Sequence, residues 1–118
     1  MKILMVDDDP SLVKIITFLL KDEGYDVISA STGLEALQIL QQQWVDMLIL
    51  DIGLPRVDGF EVARRVRETN RVPIIMLSAD DVEKEAWRAG VDAFLPKPEG
   101  VERLPTTIKR ALDERRKK

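Results

Sequence analysis

Five short runs rich in apolar residues recur along the chain, and each of them predicts a strand. The runs lie at residues 3–6, 25–30, 47–50, 72–77 and 91–95. They are too short for ordinary helices, and the central run is rich in Ile and Leu, which is typical of a strand covered on both faces. The first, third and fourth runs are the most apolar and are expected at the centre of a sheet, whereas the other two are expected toward its edges.

The segments between the runs predict helices, because apolar residues recur there every three or four positions. Asp9 and Pro10 are typical of an N-cap and the first helical residue, and Gly24 ends this first helix. Capping patterns at 32–35 and 58–61 open the second and third helices.

The same spacing predicts the inner face of each helix. In the first three helices these faces are Leu12, Ile15, Ile16, Leu19 and Leu20; Leu34, Leu37, Ile39 and Leu40; and Phe60, Ala63 and Val66. The third helix is expected to expose a solvated charged side made of Arg64, Arg65, Arg67 and Glu68. Trp44, in the turn after the second helix, is expected to cover the core. A short fourth helix is predicted over 82–89, and a last helix from around Glu102 or Thr106 to about Arg115.

Strand and helix therefore alternate five times, which predicts an α/β protein with a single doubly wound, five-stranded parallel sheet. Right-handed crossovers place helices on both faces of such a sheet, in a three-layer sandwich. We expect the strand order 2-1-3-4-5, the common solution for five strands. A chain of 118 residues is expected to form one domain over 1–118.

Polar side chains follow four of the five predicted strands, at the point where each strand ends. They are Asp7 and Asp8 after the first strand, Asp51 after the third, Ser78 after the fourth and Lys97 after the fifth. Each residue alone would ordinarily be a cap, a turn residue or a solvated charge. The carboxyl ends of parallel strands share one edge, however, and the first and third strands flank the crevice where such sheets bind ligands. We therefore expect these side chains to form one site.

Three carboxylates at close range repel one another, and a divalent cation relieves that repulsion. The chain has no Cys and no His, so a metal must be held by oxygen, which indicates Mg²⁺, Ca²⁺ or Mn²⁺. Hard oxygen ligands suit Mg²⁺ with several waters retained. The Lys97 ammonium and the Ser78 hydroxyl would supply a positive charge and a donor to an oxyanion. Cation, ammonium and hydroxyl around a carboxylate are what phosphoryl transfer to that carboxylate requires.

The composition adds few constraints beyond these. Apolar residues make up 45% of the chain, charged residues 33%, and the net charge is −3, so direct nucleic-acid binding is not expected. The basic residues 115–118 are interpreted as a solvated helix end. No stretch approaches membrane-spanning length and the first apolar run is too short for a signal peptide, so we expect a cytoplasmic protein without a membrane partner.

The whole chain resembles the CheY-like receiver domains of two-component response regulators. The resemblance rests on ILMVDDDP at 3–10, LILDIGLP at 48–55 with DG at 58–59, IIMLSA at 74–79 and FLPKP at 94–98. As a set these segments are highly specific.

The resemblance implies that Asp51 accepts a phosphoryl group from a histidine kinase, a phosphotransfer protein or a small phosphodonor. It further implies that Asp8 and Asp51 bind Mg²⁺ directly, Asp7 through water, and that the backbone carbonyl of Gly53 completes the protein ligands. The protein would then be a signalling module with weak phosphotransfer and dephosphorylation chemistry of its own, and not a metabolic enzyme.

The resemblance also implies a conformational switch. Ser78 and Lys97 would bind the phosphoryl oxygens, and Phe94 matches an aromatic position that turns inward when Ser78 moves to the phosphate. The Lys97–Pro98 peptide bond would be cis. The rearranged surface would contact an output domain or a target protein.

Two departures from the family pattern concern the last third of the chain. The spacing from Ser78 to Lys97 is about three residues short, close to one helical turn, so the fourth helix is expected to be truncated or displaced. Glu99 and Gly100 stand where an apolar aromatic residue is common, and Pro105 is expected to delay the last helix.

Other classes of function remain open from the residues alone. One is a receiver-like interaction module that no longer takes up phosphate, which the short fourth helix favours and the complete set of site residues disfavours. Another is a phosphohydrolase of the haloacid-dehalogenase type, but such enzymes carry a second Asp where this chain has Gly53. A dinucleotide-binding role is disfavoured because no Gly-rich loop follows the first strand.

Overall fold

The structure is a computed structural model that describes residues 1–54, 57–97 and 99–116. Residues 115 and 116 are described as backbone only. The strands are β1 (Lys2–Val6), β2 (Asp26–Ala30), β3 (Met47–Asp51), β4 (Ile74–Ser78) and β5 (Ala93–Pro96). The helices are α1 (Pro10–Asp22), α2 (Gly33–Gln42), α3 (Gly59–Thr69), α4 (Glu83–Arg88) and α5 (Leu104–Arg116), with a 3₁₀ helix at Glu99–Arg103. Within the described residues the strands form a parallel sheet in the order β2-β1-β3-β4-β5, which confirms the predicted fold class and strand order.

Helices cover both faces of the sheet, as predicted. One face carries Leu4, Leu50 and Ile74 and packs against α2, α3 and α4. The opposite face carries Ile3 and Ile49 and packs against α1 and α5. Burying each of these large side chains stabilises the fold by about 1.5–3 kcal/mol. The three central strands therefore end on a well-supported edge, which we call the carboxyl edge of the sheet.

Side-chain caps begin the first three helices where the sequence predicts them. The Asp9 carboxylate accepts hydrogen bonds from the first turn of α1. The N–H of Glu35 donates to Thr32 Oγ1 at 3.1 Å, and the N–H of Glu61 donates to Asp58 Oδ1 at 2.9 Å. Each such cap contributes about 1 kcal/mol. No described side chain caps α4, so this six-residue helix depends on its packing.

Two residues assigned to inner helix faces are exposed instead. Ile15 and Leu34 each have 55% of their surface exposed, so their prediction as core residues is wrong. In α1 the buried side is centred on Ile16 and Leu20, and the rotation of about 100° between successive residues turns Ile15 away from it. In α2 the buried contact is made by Ala36.

Trp44 does not cover the core, contrary to the prediction. Its surface is 69% exposed, whereas the adjacent Val45 is 1% exposed and fills the core position. Trp44 Nε1 donates to Asp46 Oδ1 at 3.1 Å, and the backbone N–H of Lys2 donates to Asp46 Oδ2 at 2.8 Å. The carboxylate of Asp46 therefore holds the indole at the surface, beside the start of β1.

The charged side of α3 is only partly a solvated face. Arg64 and Arg65 have side chains that are 57% and 49% exposed, and both pair with Glu61. The side chain of Arg67 is only 21% exposed and bonds to Asp92 at 2.6 Å, so its prediction as a solvated residue is wrong. Helical periodicity does not separate these arginines, because the partner of Arg67 lies in a distant segment.

The last third of the chain confirms one prediction and corrects another. The six residues of α4 confirm the shortened fourth helix. Pro105 does not delay the last helix, because α5 begins at Leu104 and Pro105 occupies its first turn, where a backbone N–H has no helical partner.

The Lys97–Pro98 bond and the side chains of 115–118 lie outside the described residues, so the cis bond and the solvated tail stay predictions. No helix in the described ranges is long and apolar enough to cross a membrane.

Gly59 places α3 against the end of β3, and a larger residue there should be destabilising. A Cβ at this position would lie 2.6 Å from the backbone oxygen of Asp51 and 2.8 Å from Cα of Ile52. We expect Gly59→Ala to lower the free energy of unfolding by about 1–3 kcal/mol, measured by urea denaturation. Gly53→Ala is the matched control, because the nearest described atom to its Cβ would be Asp51 Oδ2 at 3.6 Å. Equal losses in the two variants would contradict this steric account.

Asp46 should make stability depend on pH in the acid range. The hydrogen bond from the Lys2 N–H holds the pKa of Asp46 below its ordinary value of 3.8, against the opposing effect of partial burial. Because the folded-state pKa is the lower one, this stabilisation is complete above the ordinary value and is lost as the pH falls through the folded-state pKa. We expect the free energy of unfolding to fall less steeply as the pH drops below 3.8 in Asp46→Asn than in the wild type. Parallel curves would refute the assignment.

Candidate functional site

The carboxyl edge brings two buried carboxylates together beside the crevice between β1 and β3. Asp7 follows β1 and is 2% exposed, and Asp51 is the last residue of β3 and is 7% exposed. The Asp7 backbone N–H donates to Ala30 at 3.1 Å, and its Oδ1 accepts from the N–H of Asp9 at 2.9 Å. Parallel pairing of β1 with β3 sets both side chains at the same level, as the sequence predicts.

Lys97 compensates one of the two negative charges of this carboxylate pair. Its Nζ donates to Asp7 Oδ2 and to Asp51 Oδ1, both at 2.8 Å, and its side chain is 17% exposed. The backbone N–H of Lys97 donates to the carbonyl of Ser78 at 2.8 Å, so β4 positions the residue. Burial disfavours the charged ammonium, but the hydrogen bonds to the two carboxylates outweigh it and raise the pKa of Lys97 above 10.5. The ammonium therefore stays charged throughout the neutral range.

Asp8 joins the other two carboxylates in a cluster with a metal-binding geometry. One oxygen each from Asp7, Asp8 and Asp51 can lie within 4.8 Å of the others, and Asp8 is exposed. Three carboxylates against one ammonium leave an excess of negative charge, and hard oxygen donors on an open side suit Mg²⁺ with retained waters. These three residues therefore fit the metal. Gly53 lies in the loop after β3, and its role as a carbonyl ligand stays a prediction.

The hydroxyl of Ser78 is at the carboxyl edge but is engaged elsewhere. Ser78 is fully buried, its hydroxyl donates to the carbonyl of Asp80 at 3.1 Å, and it accepts from the Asp80 N–H at 3.0 Å. The structure thus unites Asp7, Asp51 and Lys97 directly, whereas Ser78 is held in its own turn. Its predicted contact with a phosphoryl group would need this turn to open.

Phe94, the predicted switch residue, lies on β5 and is partly buried. It packs against the core cluster shared with α3 and α4. It also lines a surface hollow with Trp87, Arg103 and Arg110. A partly buried ring beside a surface hollow has room to change its packing, although its role as a switch stays a prediction.

A groove beside the acidic cluster was not predicted from the sequence. It runs along α1 and is lined by Asp7, Asp8, Lys14, Phe18 and Lys21 among others. Phe18 is 73% exposed. The sequence does carry one signal for this groove: Phe18 is a large aromatic residue that lies outside the predicted inner face of the first helix.

Comparison with known proteins identifies the family. The model of the family described as "Response regulator receiver domain" matches residues 3–109 of this chain. The chain belongs to this family.

Solved structures of receiver domains agree with this membership. The chemotaxis response regulator CheY4 of Vibrio cholerae is 36% identical with a TM-score of 0.87, covering 94% of this chain and 98% of that one. A CheY-like receiver domain protein from Methanospirillum hungatei JF-1 is 31% identical with a TM-score of 0.90, covering 98% and 96%. The receiver domain of a sensor histidine kinase from Pseudomonas aeruginosa PAO1 is 30% identical with a TM-score of 0.87, covering 95% and 97%, and has a magnesium ion in its active-site cleft.

Removing the Lys97 ammonium should destabilise the receiver domain when no metal is present. Lys97→Met leaves Asp7 and Asp51 facing each other without a cation, and we expect a loss of about 2–4 kcal/mol in the free energy of unfolding. Adding Asp7→Asn to Lys97→Met should recover part of the loss, because it removes one of the two uncompensated charges. Urea denaturation in a chelating buffer measures both effects. A Lys97→Met protein as stable as the wild type would show that the ion pairs contribute nothing.

Proposed function

We propose that this receiver domain is a phosphoacceptor, in which Asp51 takes a phosphoryl group from the phosphohistidine of a histidine kinase or phosphotransfer protein, or from a small phosphodonor. One observation carries the proposal: the Lys97 ammonium lies 2.8 Å from both Asp51 and Asp7, beside a third carboxylate, Asp8. This arrangement places a fixed positive charge and a metal-binding cluster around one carboxylate, which is a suitable environment for phosphoryl transfer.

In the proposed step, a carboxylate oxygen of Asp51 attacks the phosphorus atom as the bond from phosphorus to the imidazole nitrogen breaks. The electron pair of that bond goes to the leaving imidazole, and a mixed anhydride forms at Asp51. Lys97 would then contact the oxygens of the transferred group. Asp7, Asp8 and Asp51, with the carbonyl of Gly53, would hold Mg²⁺, which supplies neutralisation of the charge on the phosphoryl oxygens.

The phosphorylated state would draw Ser78 out of its turn with Asp80. The neutral hydrogen bonds of that turn contribute about 0.5–1.5 kcal/mol each, whereas a hydrogen bond to a charged group contributes about 1.5–3 kcal/mol. A bond from the Ser78 hydroxyl to a phosphoryl oxygen can therefore compensate for opening the turn. Phe94 would then repack, and the altered surface would contact an output domain or target protein.

The proposed role is that of a signalling phosphoacceptor rather than a metabolic enzyme. Receiver domains work with histidine kinases, and the structural neighbours include receiver domains of sensor histidine kinases. The cytoplasmic location and the expectation of no direct nucleic-acid or membrane partner stay predictions from the sequence.

Intact-protein mass spectrometry after incubation with acetyl phosphate tests the proposal. We expect one phosphoryl adduct per chain in the presence of Mg²⁺ and none after chelation, because the cluster needs a cation to accept another anion. Asp51→Asn should abolish the adduct. Asp58→Asn is the matched control that should keep it, since Asp58 is an exposed helix cap rather than a residue of the cluster.

The absence of an adduct in the wild type, together with a failure to bind beryllofluoride, would overturn the proposal and favour the interaction-module alternative. An adduct that persists in Asp51→Asn would place the acceptor elsewhere. Sustained hydrolysis of a chromogenic phosphate monoester, with turnover lost in Asp51→Asn, would instead favour the phosphohydrolase alternative.

A further inference from the structure

The guanidinium of Arg67 joins three segments at the amino-terminal edge of the sheet, opposite the acidic cluster. Its Nε donates to the carbonyl of Gly90 at 2.8 Å, and its Nη2 donates to Asp92 Oδ2 at 2.6 Å. Its Nη1 donates to the carbonyls of Val72 at 2.7 Å and Asn70 at 3.3 Å. We call these five residues the Arg67 network. It ties the end of α3 to the entry into β4 and to the turn between α4 and β5.

Asp92 carries the connection into the sheet. Its Oδ2 also accepts from the backbone N–H of Ile74 at 2.8 Å, and its own N–H donates to the carbonyl of Ile74 at 2.8 Å. The residue before β5 is thus fastened to the first residue of β4 by both backbone and side chain. The network therefore sets where the pairing of β4 with β5 begins.

The pairing of β4 with β5 ends at the proposed phosphoryl site. The pairing runs from Ile75 opposite Ala93 to Ser78 opposite Pro96, and the next N–H, that of Lys97, donates to the carbonyl of Ser78. Arg67 and Lys97 therefore lie at opposite ends of one four-residue strand. The position of Lys97 depends on the register of β5, which Arg67 helps to set.

Burial of Leu95 and packing of Phe94 against the core also support this register, and the Arg67 network adds hydrogen bonds at its start. β5 is the edge strand of the described sheet and pairs with β4 alone. The preceding helix α4 has six residues and no described side-chain cap. A slip of one residue would move Lys97 by about 3.3 Å and turn its side chain to the other face. With its side chain on the other face, Lys97 would lose both of its 2.8 Å contacts, to Asp7 and to Asp51.

We infer that Arg67 is a positioning residue for Lys97: by fixing the register of β5 at its start, it keeps the ammonium between Asp7 and Asp51 at its end. A planar guanidinium suits this role because its forked donors reach four acceptors at once, whereas a lysine offers one compact charge. The turn is shaped to it, since Gly90 has φ +94° and a Cβ there would lie 2.9 Å from Arg67 Cγ. The consequence for phosphoryl transfer rests on the proposed function.

The test compares Arg67→Lys with Arg65→Lys, the same substitution on the same helix at a side chain that is 49% exposed. The first readout is the NMR signal of the Lys97 side-chain CH₂ and ammonium groups in the metal-free protein. We expect a changed signal in Arg67→Lys and an unchanged one in Arg65→Lys.

The second readout is the rate of phosphoryl uptake from acetyl phosphate with Mg²⁺, in conditions where every variant is folded. We expect Arg67→Lys to lower it by about ten- to a hundredfold and Arg65→Lys to leave it unchanged.

A double-substitution cycle separates positioning from a general structural role. In a Lys97→Met background, Arg67→Lys should cause no further loss of uptake rate, because the group it positions is gone. A loss as large as in the wild-type background would overturn the inference, and so would an unchanged Lys97 signal in Arg67→Lys. A wild type that takes up no phosphoryl group would refute the proposed function, while the NMR signals would still decide the positioning role. If Arg67→Lys does not fold, Asp92→Asn provides the same comparison, since it keeps the shape of its side chain and removes the charge paired with Arg67.

Discussion

The ammonium of Lys97 between Asp7 and Asp51 is the interaction on which the carboxyl edge depends. Two carboxylates that are almost fully buried lie next to each other, and each would be costly without a cation. Lys97 meets both at 2.8 Å, so one of their two negative charges is compensated where the sheet is most polar. The same contact limits the site, because a third carboxylate, Asp8, leaves negative charge for a metal to neutralise.

The two edges of the sheet have different tasks. The carboxyl edge concentrates charge on side chains at and just after the strand ends, where Asp7, Asp51 and Lys97 are in direct contact. The amino-terminal edge carries the Arg67 network, in which one guanidinium satisfies the carbonyls of Val72 and Gly90 and the carboxylate of Asp92. β5 connects these edges through its pairing with β4 and through side chains that pack into the core on both faces of the sheet.

Ser78 and Phe94 are the two residues on which the proposed switch depends. Ser78 is buried yet bonded to its own turn, so its hydroxyl is satisfied in the resting state and available to a stronger acceptor. Phe94 is only partly buried against the core, so its movement would disturb few contacts. In the proposed switch, a small difference in hydrogen-bond strength would bias the packing of β5, which is an edge strand of the described sheet.

The sequence by itself determined the order of strands and helices, the helix caps and the residues at the strand ends. These follow from local patterns: apolar runs, capping residues and the rule that parallel strands end together. Prediction from the sequence was wrong where the burial of a residue depended on contact partners distant in the chain. The periodicity that assigned Ile15 and Leu34 to the core could not tell which helical side meets the sheet, and nothing near Arg67 distinguished it from Arg65. Only the tertiary structure decided those burials, the turn that holds Ser78 and the ion pairs of Lys97, because each is set by atoms that long-range packing brings together.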